Sequence, residues 1–372
     1  MKAVAVNRFK EKVWLVDHPA PALEAEDQVL IKSIEVGICG TDREICMFDY
    51  GDPPGGADYL VIGHEAMGEV VEVGSRVENL KVGDLVVPSV RRPCPAPDCA
   101  PCTQDDSLQD FCSTGNFVER GIKQCHGFMT EAYVEHEKYL TYVRPELRHV
   151  AVLMEPLTIA VKGLKQAWAV QKRLPWVKHE IDGKPTGKGL KAVVIGAGPI
   201  GILGAMKLKE AGFNTFVYSR SKAPNPKADI VESIGVKYIS SLEHSVDDLK
   251  EIVGSIDLVY EAVGVPSVAF EVLGALGMNG IYIFTGIPTF GPKIEIPGDV
   301  LMRNFVLMNQ AMVGTVNADG GSFHEAIEDL AYFSDHWPDA INSIITERGT
   351  IDDYERFLLG KATGIKNVIS FE

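Results

Sequence analysis

The segment Lys191-Ala-Val-Val-Ile-Gly196-Ala-Gly198-Pro-Ile-Gly201 contains the pattern that decides the fold class of this chain. Its β-branched start is typical of a buried parallel strand, and the apolar residues 202–211 predict a helix that ends at Gly212. The three glycines of such a turn permit a tight bend, close approach of a pyrophosphate and close helix–strand packing. The helix N-terminus favours the anion through its free N–H groups and its dipole. We therefore predict a dinucleotide site that includes Gly196, Gly198, Pro199, Ile200 and Gly201.

The residues after the second predicted strand, 214–218, indicate which cofactor binds. An acidic residue ends this strand in NAD-binding sites, because it accepts hydrogen bonds from the ribose hydroxyls. This chain instead has Ser219, Arg220, Ser221 and Lys222. A carboxylate would repel a 2′-phosphate, whereas hydroxyls beside two cations hold one through charge-assisted hydrogen bonds. The pattern favours NADP⁺ as the cofactor, with NAD⁺ as the alternative. A solvated loop with incidental charges is the other interpretation.

Hydrophobic patterning separates two kinds of structure along the chain. Strands and helices alternate from residue 190 to about residue 308, which predicts an α/β domain with a doubly wound parallel sheet. Before residue 145, Gly, Pro and Asp interrupt short alternating segments, which predicts an antiparallel, partly barrelled domain rich in β structure. The strands predicted for this domain include residues 3–6, 28–35, 66–73 and 84–88.

The last part of the chain is expected to return to the first domain. A helix is predicted at residues 322–336 and a final strand at residues 366–371. We therefore expect a catalytic domain made of residues 1–188 and 309–372. Residues 189–308 would form the dinucleotide-binding domain.

Two short motifs, Cys39-Gly-Thr-Asp42 and Gly63-His64-Glu65, combine ligand types that suit zinc. Thiolate, imidazole and carboxylate groups bind Zn²⁺ tetrahedrally, and a catalytic zinc usually keeps an open position beside three protein ligands. A glycine beside each motif lets the backbone pack closely around a metal. The alternative is a buried core cysteine and an unrelated His-Glu pair, because short motifs often match by chance. The motifs predict a catalytic zinc site.

A second group of cysteines lies within one proline-rich segment and consists of Cys94, Cys99, Cys102 and Cys112. Four thiolates can close a tetrahedron with no open position, which is a structural zinc site. The segment has almost no apolar periodicity, so metal binding would supply the free energy that orders it. Disulfides are the alternative. The odd total of seven cysteines and the lack of any secretion signal disfavour them.

Composition excludes several classes of function. The chain has 372 residues, of which 46% are hydrophobic, enough for two domains with sizeable cores. A formal net charge of −15 argues against nucleic acids and anionic membranes as partners. No apolar stretch reaches the length of a membrane span, and residues 1–10 lack the apolar core of a signal peptide. We expect a cytoplasmic protein with reduced thiols.

The order of these motifs resembles that of the zinc-dependent medium-chain dehydrogenases over nearly the full length of the chain. Further segments are similar to the archaeal glucose dehydrogenase branch: Val-Val-Pro-Ser-Val-Arg-Arg at 86–92, Glu-Arg-Gly at 119–121, His-Gly-Phe-Met at 126–129, Leu-Met-Glu-Pro-Leu at 153–157 and Gly-Thr-Val-Asn at 314–317. The resemblance implies a Rossmann domain, a GroES-like catalytic domain with a zinc-binding lobe, and oxidation of D-glucose or related aldoses at C1 to the aldonolactone with NADP⁺ or NAD⁺. The spacing of the lobe cysteines departs from that of the commoner members.

The resemblance also implies roles for single residues. Cys39 and His64 would hold the catalytic zinc, and the third ligand would be either Glu65 or Glu155. Zinc would act as a Lewis acid on the C1 hydroxyl while Thr41 passes its proton outward. Glu65 could instead orient His64, and Glu155 could be an ordinary carboxylate at a helix start. Contacts to the sugar are expected from Thr41, Glu119, Glu155 and Asn317, and further cofactor contacts from Thr285 and Asn317. The expected assembly is a homodimer or homotetramer.

Three alternative functions agree with parts of the same pattern. The nearest is a zinc dehydrogenase of the same superfamily that acts on sorbitol, threonine or a simple alcohol. A zinc-free quinone reductase would share the fold, but Cys39 and His64 together argue against it. A non-catalytic NADP-binding protein is the alternative from a different class, and the intact zinc ligands and Thr41 argue against that one.

Replacing Arg220 tests the cofactor prediction. We expect Arg220→Ala to raise the Michaelis constant for NADP⁺ by about 10- to 150-fold, because charge-assisted hydrogen bonds contribute roughly 1.5–3 kcal/mol. The Michaelis constant for NAD⁺, which lacks the 2′-phosphate, should change little and serves as the internal control. Steady-state kinetics with both cofactors measures the difference. Equal losses with NADP⁺ and NAD⁺ would assign Arg220 to the fold and not to the phosphate.

Overall fold

A computed structural model of the chain describes residues 1–104, 106–174, 180–181, 184–289 and 291–372. The chain forms two compact units, one made of Met1–Thr158 with Asn317–Glu372 and the other of Ile159–Val316. These boundaries lie at different positions from the predicted ones near residues 188 and 308. The first boundary differs because one helix, Met154–Gln171, begins in the first unit and contributes most of its residues to the second. The second unit also includes the last strand of its sheet, Ala311–Gly314.

Short strands dominate the N-terminal part of the first unit, as the interrupted alternation of its sequence predicts. Its elements in chain order are β1 (Lys2–Asn7), β2 (Lys12–Asp17), β3 (Gln28–Gly37), α1 (Gly40–Cys46), β4 (Leu60–Val61), β5 (Glu65–Val73), β6 (Leu85–Pro88), β7 (Arg91–Arg92), α2 (Ala100–Thr103), β8 (Val118–Arg120), β9 (Gln124–Cys125), β10 (Ala132–His136), β11 (Leu140–Val143) and α3 (Met154–Gln171). Single 3₁₀ turns lie at Asp106–Phe111, Glu137–Tyr139, Pro145–Leu147, Ala151–Leu153 and Ile351–Asp353.

The second unit alternates strands and helices. After α3 its elements are β12 (Glu180–Ile181), β13 (Lys184–Pro185), β14 (Lys191–Ile195), α4 (Pro199–Glu210), β15 (Asn214–Ser219), α5 (Pro226–Ser233), β16 (Lys237–Ser240), α6 (Val246–Val253), β17 (Ile256–Glu261), α7 (Pro266–Leu273), β18 (Leu276–Phe284), α8 (Gly298–Leu307) and β19 (Ala311–Gly314). Six strands form a parallel sheet in the order β16-β15-β14-β17-β18-β19. The order reverses beside β14, as in a doubly wound sheet, so the predicted fold class is confirmed.

The C-terminal residues return to the first unit as α9 (Gly320–His336), α10 (Pro338–Ile344), β20 (Ile345–Thr350), α11 (Tyr354–Leu358) and β21 (Lys366–Ser370). The largest sheet of this unit has the order β11-β6-β5-β3-β21-β20, and β10 also pairs with β3. Smaller sheets have the orders β2-β1-β4 and β7-β8-β9. Among the described residues, no helix combines the length and the apolar character needed to cross a membrane.

The strand register of the largest sheet brings three distant segments to one end. β3 and β5 are antiparallel, with Gly37 opposite Glu65, and Val368 of β21 is also opposite Gly37. The residues just after β3, just before β5 and at the start of β21 therefore lie close together. These residues include Cys39, His64 and Lys366.

The core of the first unit fixes the backbone beside these segments. Val36, Phe128 and Met129 are fully buried members of this core, and burying such side chains contributes roughly 1.5–3 kcal/mol each. Gly63 has a φ of +90°, and a Cβ there would lie 2.9 Å from the Met129 Cβ. A side chain at position 63 would therefore be strained both by its backbone conformation and by the packed core.

A buried group of three charges connects the β7-β8-β9 sheet to β10. The carboxylate of Glu135 accepts hydrogen bonds from Arg92 and, at 2.9 Å, from Arg120 Nε. Arg120 also donates to the carbonyl of His126 at 3.1 Å. Burial alone would raise the pKa of Glu135, but Arg120 and Arg92 lower it to about 2.

Neutralising Glu135 should destabilise the fold in a pH-dependent way. We expect Glu135→Gln to lower the free energy of unfolding near pH 7 by about 3–5 kcal/mol, because two buried guanidinium groups lose their partner. The pKa of Glu135 is lowered from 4.5 to about 2 in the folded chain. Its contribution is therefore complete above pH 4.5 and is lost as the pH falls through about 2.

Urea unfolding at several pH values measures this contribution. The difference between wild type and Glu135→Gln should shrink as the pH falls below about 4.5. The exposed residue Glu146 provides the control, because Glu146→Gln should change stability by less than about 0.5 kcal/mol. A difference between wild type and Glu135→Gln that does not depend on pH would contradict the ionised state assigned to Glu135.

Candidate active site

The carboxylate of Asp42 holds the two predicted metal-binding motifs together. Asp42 is completely buried in the first turn of α1. Its Oδ2 accepts a hydrogen bond from the backbone N–H of Cys39 at 2.9 Å. Its Oδ1 accepts one from the N–H of Gly63 at 3.2 Å and lies 3.1 Å from Nδ1 of His64. One carboxylate therefore fixes the backbone of both motifs and the orientation of the imidazole.

Three of the four candidate ligands of the catalytic zinc lie close together. The sulfur of Cys39, a ring nitrogen of His64 and a carboxylate oxygen of Glu65 lie within 4.8 Å of one another. Because Nδ1 of His64 faces Asp42, Nε2 is the nitrogen that can bind a metal. Burial alone would lower the pKa of His64, but Asp42 and Cys39 raise it well above its ordinary value. These surroundings favour positive charge, and the donor types fit Zn²⁺.

Glu65 is paired with a lysine from the far end of the chain. Lys366 Nζ donates to both carboxylate oxygens of Glu65, at 2.8 and 2.5 Å, and to the carbonyl of Ile38 at 3.1 Å. Both charged side chains are almost completely buried. Burial alone would lower the pKa of Lys366, but Glu65 and Cys39 raise it. The ammonium group of Lys366 therefore lies beside the candidate ligands and neutralises the charge of Glu65.

Glu155 is a second buried carboxyl group, and the charges of His64, Glu65 and Lys366 influence its pKa. It lies in the first turn of α3 and is 7% exposed. Burial raises the pKa of Glu155 to about 7, with His64 opposing the shift and Glu65 adding to it. Among the described residues, the set of mutually close ligand atoms includes Glu65 and not Glu155. Glu155 is therefore a neighbour of the cluster whose negative charge a cation would stabilise.

Thr41 follows Cys39, a candidate ligand, by two residues and contacts Tyr50. The hydroxyl of Thr41 hydrogen-bonds the hydroxyl of Tyr50. Tyr50 in turn donates to Oε2 of the partly exposed Glu44 at 2.9 Å. Burial is the main reason that the pKa of Tyr50 is raised, so this hydroxyl keeps its proton. A row of three polar groups therefore leads from Thr41 to a carboxylate.

The four cysteines of the lobe form a second cluster. The sulfur atoms of Cys94, Cys99, Cys102 and Cys112 lie within 4.8 Å of one another, and all seven cysteines of the chain are free. The Ser113 hydroxyl lies 3.5 Å from Cys99 Sγ, and this hydrogen bond lowers the pKa of Cys99 to about 6. Four converged sulfurs with an easily formed thiolate fit a closed tetrahedral zinc site.

Glu119, a predicted sugar contact, is held by an arginine. It lies on β8, and its Oε1 accepts from Nε and Nη2 of Arg91 at 3.0 and 2.9 Å. Arg91 also donates to the carbonyl of Asp110 at 3.0 Å and stacks on the ring of Phe117, 3.8 Å from its centroid. The pair fixes one oxygen of Glu119, so its carboxylate has a defined orientation.

Asn317 is predicted to contact both the sugar and the cofactor, and its side chain is oriented by Asp110. It lies just before α9 with a φ of +58°, which asparagine tolerates better than most residues. Its side-chain amide donates to Oδ1 of Asp110 at 2.5 Å. Asp110 therefore connects to Glu119 through Arg91 and to Asn317 directly.

The dinucleotide turn has the geometry that its glycines predict. Gly196 has a φ of +101°, and Gly198 is the residue before α4. A Cβ on Gly201 would lie 2.2 Å from the carbonyl oxygen of Gly196, so the turn can close only around glycine. Pro199 and Ile200 form the first turn of α4, whose N-terminus can hold a phosphate.

The predicted 2′-phosphate residues end the neighbouring strand. Ser219 is the last residue of β15, and the exposed residues after it are Arg220, Ser221 and Lys222. The Tyr238 hydroxyl fixes their backbone by donating to the carbonyl of Ser221 at 2.8 Å. Lys222 Nζ lies 3.6 Å from the Glu243 carboxylate. Thr285, the remaining predicted cofactor contact, follows β18, and its hydroxyl donates to the carbonyl of Glu261 at 2.7 Å.

Sequence reasoning missed three residues that organise these sites, namely Asp42, Lys366 and Arg91. The role of Asp42 could have been predicted from the sequence. An acidic residue three positions after the N-cap residue, here Cys39, commonly accepts a hydrogen bond from the N-cap backbone. Lys366 lies 301 residues from Glu65 in the sequence, so no local pattern could pair them.

Comparisons with known proteins identify the family of the chain. The family model of the glucose dehydrogenase C-terminus matches residues 148–371, and that of the alcohol dehydrogenase GroES-like domain matches residues 25–145. A glucose 1-dehydrogenase of Methanocella arvoryzae is 34% identical over 372 residues, and glucose 1-dehydrogenase 2 of Vulcanisaeta moutnovskia is 38% identical over 371 residues. Each alignment covers 99% of both chains.

A solved structure extends the similarity to three dimensions. Haloferax mediterranei glucose dehydrogenase in complex with NADP, zinc and gluconolactone is 31% identical and has a TM-score of 0.86. The match covers 100% of this chain and 99% of the other. These matches confirm the resemblance drawn from the motifs. Because they extend over the whole length at such identities, the chain belongs to the glucose 1-dehydrogenase branch of the zinc-dependent medium-chain dehydrogenases.

Proposed function

We propose that this chain oxidises D-glucose, and related aldoses, at C1 to the aldonolactone and transfers the hydride to NADP⁺, with NAD⁺ as the alternative acceptor. The observation that carries the proposal is the convergence of Cys39 and His64, both held by the buried Asp42, with the carboxyl groups of Glu65 and Glu155 buried nearby. The Haloferax relative, described with NADP, zinc and gluconolactone, supports the same cofactor, metal and product class for this chain.

Cys39 and His64 would hold the catalytic zinc, with Glu155 as the third ligand. Both oxygens of Glu65 already accept from Lys366, which favours an electrostatic role for Glu65. Glu155 is buried beside the cluster with a pKa raised to about 7, and a bound cation would offset the cost of ionising it. When bound, zinc supplies Lewis acidity to the C1 hydroxyl. Asp42 keeps the imidazole of His64 in the required orientation.

Thr41, Tyr50 and Glu44 provide a route for the hydroxyl proton. A carboxylate can only accept a hydrogen bond, so Tyr50 donates to Glu44 and its oxygen can accept from Thr41. The oxygen of Thr41 can then accept from the sugar hydroxyl. A proton taken up by Thr41 would leave toward Glu44, which is partly exposed. The proton would therefore move away from the sugar and toward the surface, as the oxidation requires.

Glu119 and Asn317 are proposed to bind the other sugar hydroxyls. Arg91 engages one oxygen of Glu119 and so leaves its second oxygen for a hydroxyl. Asp110 likewise fixes the Asn317 side chain through its amide hydrogen. Hydroxyls that leave water need such replacement partners, and an oriented carboxylate is a strong acceptor.

Assembly and location complete the proposal. Five large apolar side chains on α8 and the edge strand β19 are exposed, namely Val300, Met302, Val306, Leu307 and Met312. Such exposed apolar side chains support a homodimer or homotetramer, which light scattering of the purified protein would measure. The seven free cysteines support a reducing compartment such as the cytoplasm.

Metal analysis of two cysteine variants tests the two zinc sites. Wild type should contain about two zinc ions per chain. Cys39→Ser should abolish turnover and leave the fold intact, because it removes a ligand of the catalytic ion. Cys102→Ser should instead lower thermal stability and retain some activity, because its ion orders the lobe. Elemental analysis that finds one zinc in wild type and the same amount in Cys102→Ser would exclude the structural site.

Substrate profiling of wild type and Glu119→Gln tests the sugar assignment. Glu119→Gln should lower kcat/KM for D-glucose by about 10- to 150-fold, because a hydrogen bond to a charged group contributes roughly 1.5–3 kcal/mol. The loss should be smaller for an aldose that lacks the hydroxyl bound by Glu119. Zinc content should not change, and the exposed Glu146→Gln serves as the matched control.

One result would overturn the glucose assignment. A zinc-replete wild-type enzyme that oxidises sorbitol, threonine or ethanol far better than any aldose would belong to another substrate class of the same chemistry. Complete absence of turnover with full zinc would favour the non-catalytic NADP-binding alternative.

A further inference from the structure

The carboxylate of Glu261 joins two loops of the second unit. Glu261 ends β17 and is 1% exposed. Its Oε1 accepts hydrogen bonds from the backbone N–H groups of Val263 and Gly264, both at 2.8 Å. Its Oε2 accepts from the N–H of Gly286 at 3.2 Å. Val263 and Gly264 follow β17, whereas Gly286 follows β18, so one buried anion is shared by two neighbouring strand ends.

The two loops also touch directly. A Cβ on Gly286 would lie 2.1 Å from the backbone nitrogen of Gly264, and a Cβ on Gly264 would lie 2.7 Å from the carbonyl oxygen of Ile287. Thr285 donates its N–H and its hydroxyl to the main-chain carbonyl of Glu261, at 3.0 and 2.7 Å. The loops therefore form one layer, which the side chain and the main-chain carbonyl of Glu261 hold together.

This layer lies where the strand order assigns the nicotinamide half of the cofactor. A dinucleotide spans the crevice where the order of a doubly wound sheet reverses, with its pyrophosphate on the first glycine turn. Arg220 follows β15 and marks the adenosine side of that crevice. β17 and β18 lie on the opposite side of β14. A Cβ on Gly196 would lie 2.4 Å from Val263 Cγ2, so the layer borders the glycine turn itself.

We infer that Glu261 is a positioning residue for the nicotinamide half of NADP⁺. It acts through the loops after β17 and β18, whose backbone groups it preorganises before the cofactor arrives. The inference rests on the proposed cofactor and does not depend on which alcohol is oxidised. Glutamine at this position replaces one acceptor oxygen with an N–H₂ group, which cannot accept from the loop N–H groups. At least one of the two loops then loses its hydrogen bonding to the side chain at position 261 and is held less firmly.

Binding of the whole cofactor and of its adenosine half separates this role from a general structural one. We expect Glu261→Gln to raise the dissociation constant for NADP⁺ roughly tenfold, because the loops must then be ordered on binding. The dissociation constant for adenosine 2′,5′-bisphosphate, which lacks the nicotinamide, should stay within about twofold of wild type. Isothermal titration with both ligands measures this and requires no turnover.

Two variants provide the controls. Glu271→Gln changes an exposed glutamate on α7 and should alter neither constant. Arg220→Ala should weaken both ligands, because both carry the 2′-phosphate. If Glu261→Gln does not fold, Glu261→Asp keeps the negative charge but shortens the side chain by one methylene, so it cannot reach both loops as glutamate does and should weaken NADP⁺ selectively.

Three outcomes would overturn the inference. They are unchanged NADP⁺ binding in Glu261→Gln, equal weakening of both ligands, and failure of the wild type to bind either ligand. The last outcome would also remove the proposed cofactor. The first two would leave that proposal intact, so the two failures are distinguishable.

Discussion

The buried carboxylate of Asp42 is the interaction on which the metal site depends. An uncompensated buried anion is costly, and Asp42 is stabilised because both of its oxygens accept hydrogen bonds from the metal-binding motifs. The same contacts cap α1, close the turn at Gly63 and orient His64. A change at Asp42 would therefore affect a helix start, a turn and a ligand at once.

Charge compensation explains why further ionisable groups are buried nearby. Lys366 neutralises Glu65, while burial disfavours the charged form of Glu155. The elevated pKa of His64 reports the same excess of negative potential. A cation satisfies this arrangement better than a proton does, because it can interact with a sulfur, an imidazole and a carboxylate together. Several acidic groups are therefore buried around the site, and Lys366 compensates for part of their negative charge.

Local patterns in the sequence predicted the doubly wound sheet, the glycine turn and both ligand clusters, because each depends on residues close together in the chain. The register of β3, β5 and β21 was not predictable in this way, since it depends on pairing between distant strands. Lys366 was missed for that reason, and so was the Arg91 partner of Glu119, 28 residues away. The first boundary between the two compact units lies within α3, where a continuous helix has no break in its hydrophobic pattern that a sequence reading could detect.

The turn at Asp110 connects the cysteine lobe to the two proposed sugar contacts, Glu119 and Asn317. Asp110 contacts Arg91 through its carbonyl and Asn317 through its side chain, and it lies two residues before Cys112. Zinc bound by the four sulfurs would fix the chain at Cys112 and so help to hold that turn in place. A zinc ion bound by the four sulfurs would not touch the sugar. It would nevertheless affect how well the enzyme distinguishes one sugar epimer from another. Metal supply could then alter selectivity before it altered turnover.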